Sequence, residues 1–139
     1  MNLNTIRDQL LRHEGVVLHG YEDHLGYLTI GVGRLIDERR GGGLSKDEAM
    51  FLLDNDIHRV VNNLRKENGF TGFPAPVKEA LVNMEFQLGH RGLMNFKKMW
   101  AALRQHDWEG AAYEALDSNW ATQTPNRAQE VTDMIRSAA

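Results

Sequence analysis

Apolar side chains recur every three or four residues along most of this chain and cluster in short extended runs near one end only. Leu3, Ile6 and Leu10, with His13, share one side of a predicted helix over residues 2–14, and Gly15 follows as a stop. Val16 to Asp23 and Tyr27 to Val32 read as extended runs around a turn ending in Gly26, a hairpin with up to three small strands. Ser45-Lys46-Asp47-Glu48 has the spacing of a capping box, in which Ser45 accepts from an early backbone amide while Glu48 reaches back to the cap. Ala49, Leu52, Leu53, Ile57, Val60, Val61 and Leu64 then keep helical spacing for about twenty residues.

Asn68-Gly69 and the stretch from Phe70 to Pro76 break that pattern. Pro76 can begin the next helix, with Val77, Ala80, Leu81, Met84 and Leu88 on one side and Gly89 as its end. Phe96, Met99, Trp100 and Leu103 mark another. Asp107 can cap a helix carrying Trp108, Ala111, Ala112 and Ala115, and Thr124-Pro125 opens the last, with Ala128, Val131, Met134 and Ile135. The predicted class is α+β, mostly α. A single domain over 1–139 is expected: a hairpin-bearing small lobe at about 15–45, a linking helix at about 46–65, and a helical lobe at about 66–139 on which helix one packs.

With 42% apolar and 25% charged residues in 139, the chain has ordinary globular composition. Arg7, Asp8, Arg12, His13 and Glu14 interrupt the first twenty residues, so no signal peptide or membrane span is read there and the chain is expected to be cytoplasmic when made. The absence of cysteine removes disulfides, iron–sulfur clusters and thiol nucleophiles. A net charge of -3 with scattered Lys and Arg argues against nucleic acid as the main partner. The nearest basic cluster, Arg39-Arg40, abuts Gly41-Gly42-Gly43 and reads as a solvated turn. His13, His19, His24, His58, His90 and His106 lack paired metal-ligand spacing, and Gly31-Val32-Gly33 lacks the third glycine and lysine of a phosphate loop. No cofactor or metal is therefore expected.

The candidate chemistry lies at the hairpin. Glu14 ends the first helix, while Asp23 and Thr29 sit on Tyr21-Glu22-Asp23-His24-Leu25-Gly26-Tyr27-Leu28-Thr29-Ile30-Gly31. Each alone has an ordinary explanation: a helix-end glutamate, a turn aspartate, a strand threonine. Two acids that a tight turn can bring close, in different surroundings, are what glycosidic bond hydrolysis requires.

His13-Glu14-Gly15, Tyr21-Glu22-Asp23 and Gly26-Tyr27-Leu28-Thr29-Ile30-Gly31-Val32-Gly33 together resemble the active-site signature of the phage-type lysozymes, glycoside hydrolase family 24. Asn83-Met84-Glu85-Phe86-Gln87-Leu88-Gly89 and the run from Trp120 through Thr124-Pro125-Asn126-Arg127-Ala128 resemble later segments of the same family, so the likeness covers most of the chain. It implies a lysozyme-like fold and hydrolysis of the β-1,4 bond between N-acetylmuramic acid and N-acetylglucosamine in bacterial peptidoglycan. By position, Glu14 is then the general acid, placed at the negative end of helix one, which favours a carboxylic acid that keeps its proton. Asp23 would stay ionised and stabilise positive charge on the sugar or orient water, with Thr29 holding that water, and attack would proceed with inversion.

The same resemblance places Leu35, Phe86 and Gln87 near the saccharide and pairs Arg127 with Glu14. Leu35 and Phe86 are equally readable as core residues, and Trp100, Trp108 and Trp120 fit helix packing. The expected role is a monomeric endolysin that reaches the cell wall after a holin opens the membrane. A tail module or antibacterial effector, and a noncatalytic peptidoglycan-binding module, are the alternatives. Departures from the family pattern are a short stretch between Gly33 and Ser45, Arg34 in place of histidine, Met99 and Glu114 in place of polar saccharide-side residues, and an acidic balance that weakens attraction to anionic walls.

Overall fold

A computed structural model describes residues 1–37 and 41–139; the basic pair Arg39-Arg40 lies outside the described residues. The chain divides into two compact units, Met1–Leu52 and Leu53–Ala139.

In the first unit, α1 (Leu3–Glu14) starts where Asn2 Oδ1 accepts from the amides of Asn4 and Thr5, at 3.0 and 3.2 Å. It stops at Gly15, whose φ of 70° turns the backbone while its N–H still donates to Leu11 O. Strands β1 (Val17–Glu22), β2 (Leu28–Gly31) and β3 (Arg34–Leu35) form an antiparallel sheet in the order β1-β2-β3. Tyr21 pairs with Thr29 and Glu22 with Leu28, while Thr29 pairs on its other side with Leu35. The register shifts between Val17 and Tyr21, an irregularity that bends β1 where it leaves α1.

The capping box forms as read. Glu48 N donates to Ser45 Oγ at 3.1 Å, and Ser45 N donates to Glu48 Oε1 at 3.0 Å. Helix α2 (Lys46–Arg65) begins there. Arg34, from β3, places its guanidinium 2.5 Å from Glu48 Oε2. The Ser45 amide, with Arg34 beside it, lowers the Glu48 pKa to about 2.

The second unit holds the rest of α2, a 3₁₀ turn at Phe70–Gly72, and helices α3 (Ala75–Met94), α4 (Lys97–Arg104), α5 (Trp108–Leu116), α6 (Asn119–Gln123) and α7 (Pro125–Arg136). Its core is built from Leu64, Leu81, Met84, Trp100, Leu103, Val131 and Ile135, with α5 packed on α4 and α7. Local signals set several helix starts: Asp107 Oδ1 accepts from Gly110 N at 2.9 Å, and Pro125 opens α7. All three tryptophans are buried. Trp100 donates its indole N–H to Leu93 O at 3.1 Å, and Trp108 and Trp120 meet Phe73 and Phe96 edge-on.

Gly89 ends a helical run as the sequence reads: it takes φ 75° and ψ 164°, a non-helical conformation open to glycine, and a second helical run follows across that kink to Met94. One element goes beyond the sequence expectation. Helix α6, started by Ser118 Oγ accepting from Ala121 N, is too short to carry a periodic signal.

The kink at Gly89 is bridged by polar contacts. His90 Nδ1 lies 2.5 Å from Oε1 of Glu85, a carboxylate only 3% exposed, and His90 Nε2 lies 3.0 Å from Glu67 Oε1. Arg104 stands 4.0 Å from the other Glu67 oxygen. The bond to Glu85 raises the His90 pKa above its ordinary 6.5, burial opposes this, and Glu67 adds to the rise. A raised folded-state pKa stabilises the fold below about pH 6.5, and that contribution disappears as pH climbs through the raised value. We expect the melting temperature of the wild type to fall more between pH 6 and pH 8.5 than that of His90→Gln; equal falls would deny the bridge this role.

Candidate active site

The hairpin turn is tied by its own aspartate. Asp23 Oδ1 accepts from Leu25 N at 2.9 Å and from Tyr27 N at 2.8 Å, while Asp23 N donates to Tyr27 O at 2.8 Å and Gly26 N to Asp23 O at 2.9 Å. An Asx-type turn of this kind is what aspartate at a turn entrance favours. The Tyr27 carbonyl accepts a second bond, from Thr29 Oγ1 at 2.9 Å. Asp23 and Thr29, singled out separately in the sequence, are thus joined through one residue, Tyr27. Thr29 is 3% exposed, and its hydroxyl keeps lone pairs to accept with. The second Asp23 oxygen, Oδ2, takes part in neither turn bond.

Glu14 reaches the same sheet from the end of α1. Its carboxyl group lies against Gly33, in the turn between β2 and β3: a β-carbon built on Gly33 would stand 2.6 Å from Glu14 Oε2 and 2.8 Å from its Cδ. Glu14 is an exposed residue. Half-buried Leu35 stands opposite Thr29 across the β2–β3 pairing. The first unit therefore carries Glu14, Asp23, Thr29 and Leu35.

The second unit carries the other three. Phe86 is 46% exposed and stands outside the core, so core packing does not account for it. Gln87 accepts the Trp120 indole N–H at 2.9 Å through Oε1 and directs Nε2 to Thr124 Oγ1 at 3.5 Å, which fixes the amide orientation. Arg127 donates from Nε to Asn83 Oδ1 at 2.9 Å and from Nη2 to Asn83 O at 3.2 Å. Arg127, Asn83 and Phe86 line one cavity of about 290 Å³ with Leu53, Ile57 and Val82. A wider cavity, about 630 Å³, is lined by Leu88, Phe96, Met99, Glu114, Asp117 and Trp120.

Gly33, Asn83 and Trp120 take roles in this arrangement that the sequence does not signal. Gly33 carries the mark of a positive-φ turn but none of a side chain above it, and the partners of Asn83 and Trp120 lie 44 and 33 residues away.

Comparison with known proteins gives the following. The profile of the family described as Phage lysozyme matches residues 11–135. Probable T4-type lysozyme 2 of Dictyostelium discoideum is 29% identical over 164 aligned positions, covering 96% of this chain and 94% of that protein. The Pre-baseplate central spike protein Gp5 of Enterobacteria phage T4 is 29% identical over 94% of this chain but only 27% of its own length. The Peptidoglycan hydrolase gp36 of Pseudomonas phage phiKMV is 26% identical over 88% of this chain and 14% of its own length.

The tied turn makes a prediction that needs no substrate. Asp23→Ala removes the acceptor for two amides and is expected to cost about 1–2 kcal/mol of local stability. Hydrogen exchange at Leu25 and Tyr27 should therefore accelerate, while Asp23→Asn, which keeps an oxygen acceptor, should accelerate it far less. Unchanged exchange in the alanine variant would show that the carboxylate does not hold the turn.

Proposed function

This chain belongs to the phage lysozyme family, and from that premise we propose that it is a muramidase of bacterial peptidoglycan. It hydrolyses the β-1,4 bond between N-acetylmuramic acid and N-acetylglucosamine, with Glu14 as acid and Asp23 and Thr29 at the attacking water. The observation that carries this reading is the backbone of Tyr27, which ties Asp23 to Thr29 in the unit that also holds Glu14.

The proton of Glu14 passes to the glycosidic oxygen as the bond to the anomeric carbon breaks, and the departing sugar leaves as an alcohol. Positive charge grows on the anomeric carbon and its ring oxygen, where an ionised Asp23 stabilises it. A water that donates to Thr29 Oγ1 and to Asp23 Oδ2 adds to that carbon, and its surplus proton moves to the aspartate. Because Asp23 Oδ1 is held by two amides, the carboxylate does not have to be ordered at the moment of reaction. This route inverts the anomeric configuration.

On the same reading Leu35 and the exposed ring of Phe86 offer apolar surface to the sugar, and Gln87 meets its acetamido group with an amide already oriented by Trp120. The acid-orienting role of Arg127 rests on the family likeness; its guanidinium is held by Asn83. The biological setting proposed is host lysis after holin action. Similarity to a segment of the phage T4 spike protein favours a second setting, a wall-cutting module of a phage particle; the gene neighbourhood separates the two.

Purified peptidoglycan treated with wild type should release soluble muropeptides with reducing N-acetylmuramic acid ends, seen by mass spectrometry, and Glu14→Gln should release about 10²-fold fewer or less. Binding without products from the wild type would replace this reading with a peptidoglycan-binding module.

A further inference from the structure

The contact between Glu14 and Gly33 brings in a residue outside the acid, aspartate and threonine set. Gly33 has φ +66°. Positive φ recurs at Gly15, Gly26, Gly31, Gly41 and Gly89, but a β-carbon at any of these would meet nothing within 4 Å, so backbone conformation alone accounts for them. Gly33 is different. A β-carbon there would stand 2.6 Å from Oε2, 2.8 Å from Cδ and 3.1 Å from Cγ of Glu14, separations that non-bonded atoms do not keep. The bare α-carbon is the floor on which the Glu14 carboxyl group rests.

We propose that Gly33 is a positioning residue for the acid: its missing side chain sets where the Glu14 carboxyl sits above the β2–β3 turn. The proposal rests on the reading of Glu14 as general acid. An alanine at 33 overlaps the far end of an exposed, flexible side chain, which yields by rotating away more cheaply than the sheet yields. The overlap therefore costs little stability beyond the strain of a side chain at positive φ, and the loss falls on the placement of the proton donor. A displacement near 1 Å can cost about 10²-fold in turnover.

Gly31 supplies the control. Its φ is +70°, it lies two residues away at the end of β2, and a β-carbon there meets nothing within 4 Å. Gly31→Ala and Gly33→Ala thus carry the same kind of backbone strain and differ in the overlap. On a soluble peptidoglycan oligosaccharide, Gly33→Ala is expected to lose about 100-fold in kcat with KM within about threefold of wild type. Gly31→Ala should keep kcat within about threefold, and both variants should show similar drops in melting temperature. If either alanine variant fails to fold, the Gly31→Asn and Gly33→Asn pair replaces it, since asparagine tolerates positive φ better. Equal kcat losses in the two variants, or none in either, would overturn the proposal. Should Glu14→Gln turn over as fast as wild type, the reading of Glu14 as acid fails instead, and a crystal structure of Gly33→Ala decides: a Glu14 carboxyl moved by about 1 Å upholds the positioning role, and an unmoved one ends it.

Discussion

Two backbone amides, those of Leu25 and Tyr27, converge on one oxygen of Asp23, and the arrangement of the first unit follows from that closure. The turn they form sets the Tyr27 carbonyl where it receives both Asp23 N and the Thr29 hydroxyl. Thr29 is then fixed in β2, opposite Tyr21 on one side and Leu35 on the other. The next turn puts Gly33 under the carboxyl of Glu14. A sheet this small buries little apolar surface, so turn chemistry does the work that packing does elsewhere. One carboxylate serves both fold and proposed reaction, with Oδ1 engaged by the turn and Oδ2 outside those bonds.

The second unit is organised on the opposite principle. Its helices bury a continuous core, and the three tryptophans lie within it, each with a ring contact or a hydrogen bond to place it. Gln87 shows how that core reaches the surface. The buried indole of Trp120 needs an acceptor, Gln87 supplies it, and an exposed amide gains a fixed orientation in return. Arg127 is fixed in the same way by Asn83. On the proposed reading, a Gln87 amide held like this loses less conformational freedom on meeting a sugar.

What the sequence makes legible is local. The stop at Gly15, the hairpin turn ending in Gly26, the Ser45–Glu48 box, the Asp107 cap and the Pro125 start are each written within a few residues, and each is present. Thr29 and Asp23 can be picked out because a family signature covers that stretch; their link through Tyr27 cannot, since it depends on which way a hydroxyl turns. The stop at Gly89 is also legible, but the Glu85–His90–Glu67 contacts that join the two helical runs across it are not, since Glu67 lies 23 residues from His90. The fit between Gly33 and Glu14 joins positions nineteen residues apart, and no periodicity records it.

The proposed chemistry has a stereochemical consequence that separates it from direct attack by the aspartate. If Asp23 and Thr29 deliver water to the face opposite the acid, a β-linked substrate gives the α-anomer as its first product. Proton NMR of the anomeric region during the first minutes of cleavage of a soluble peptidoglycan oligosaccharide reads this directly, before mutarotation mixes the forms. Water held by Thr29 and Asp23 predicts the α signal first, with β growing later. A β signal that appears first would mean that Asp23 attacks the sugar itself, and would contradict the role assigned to that water.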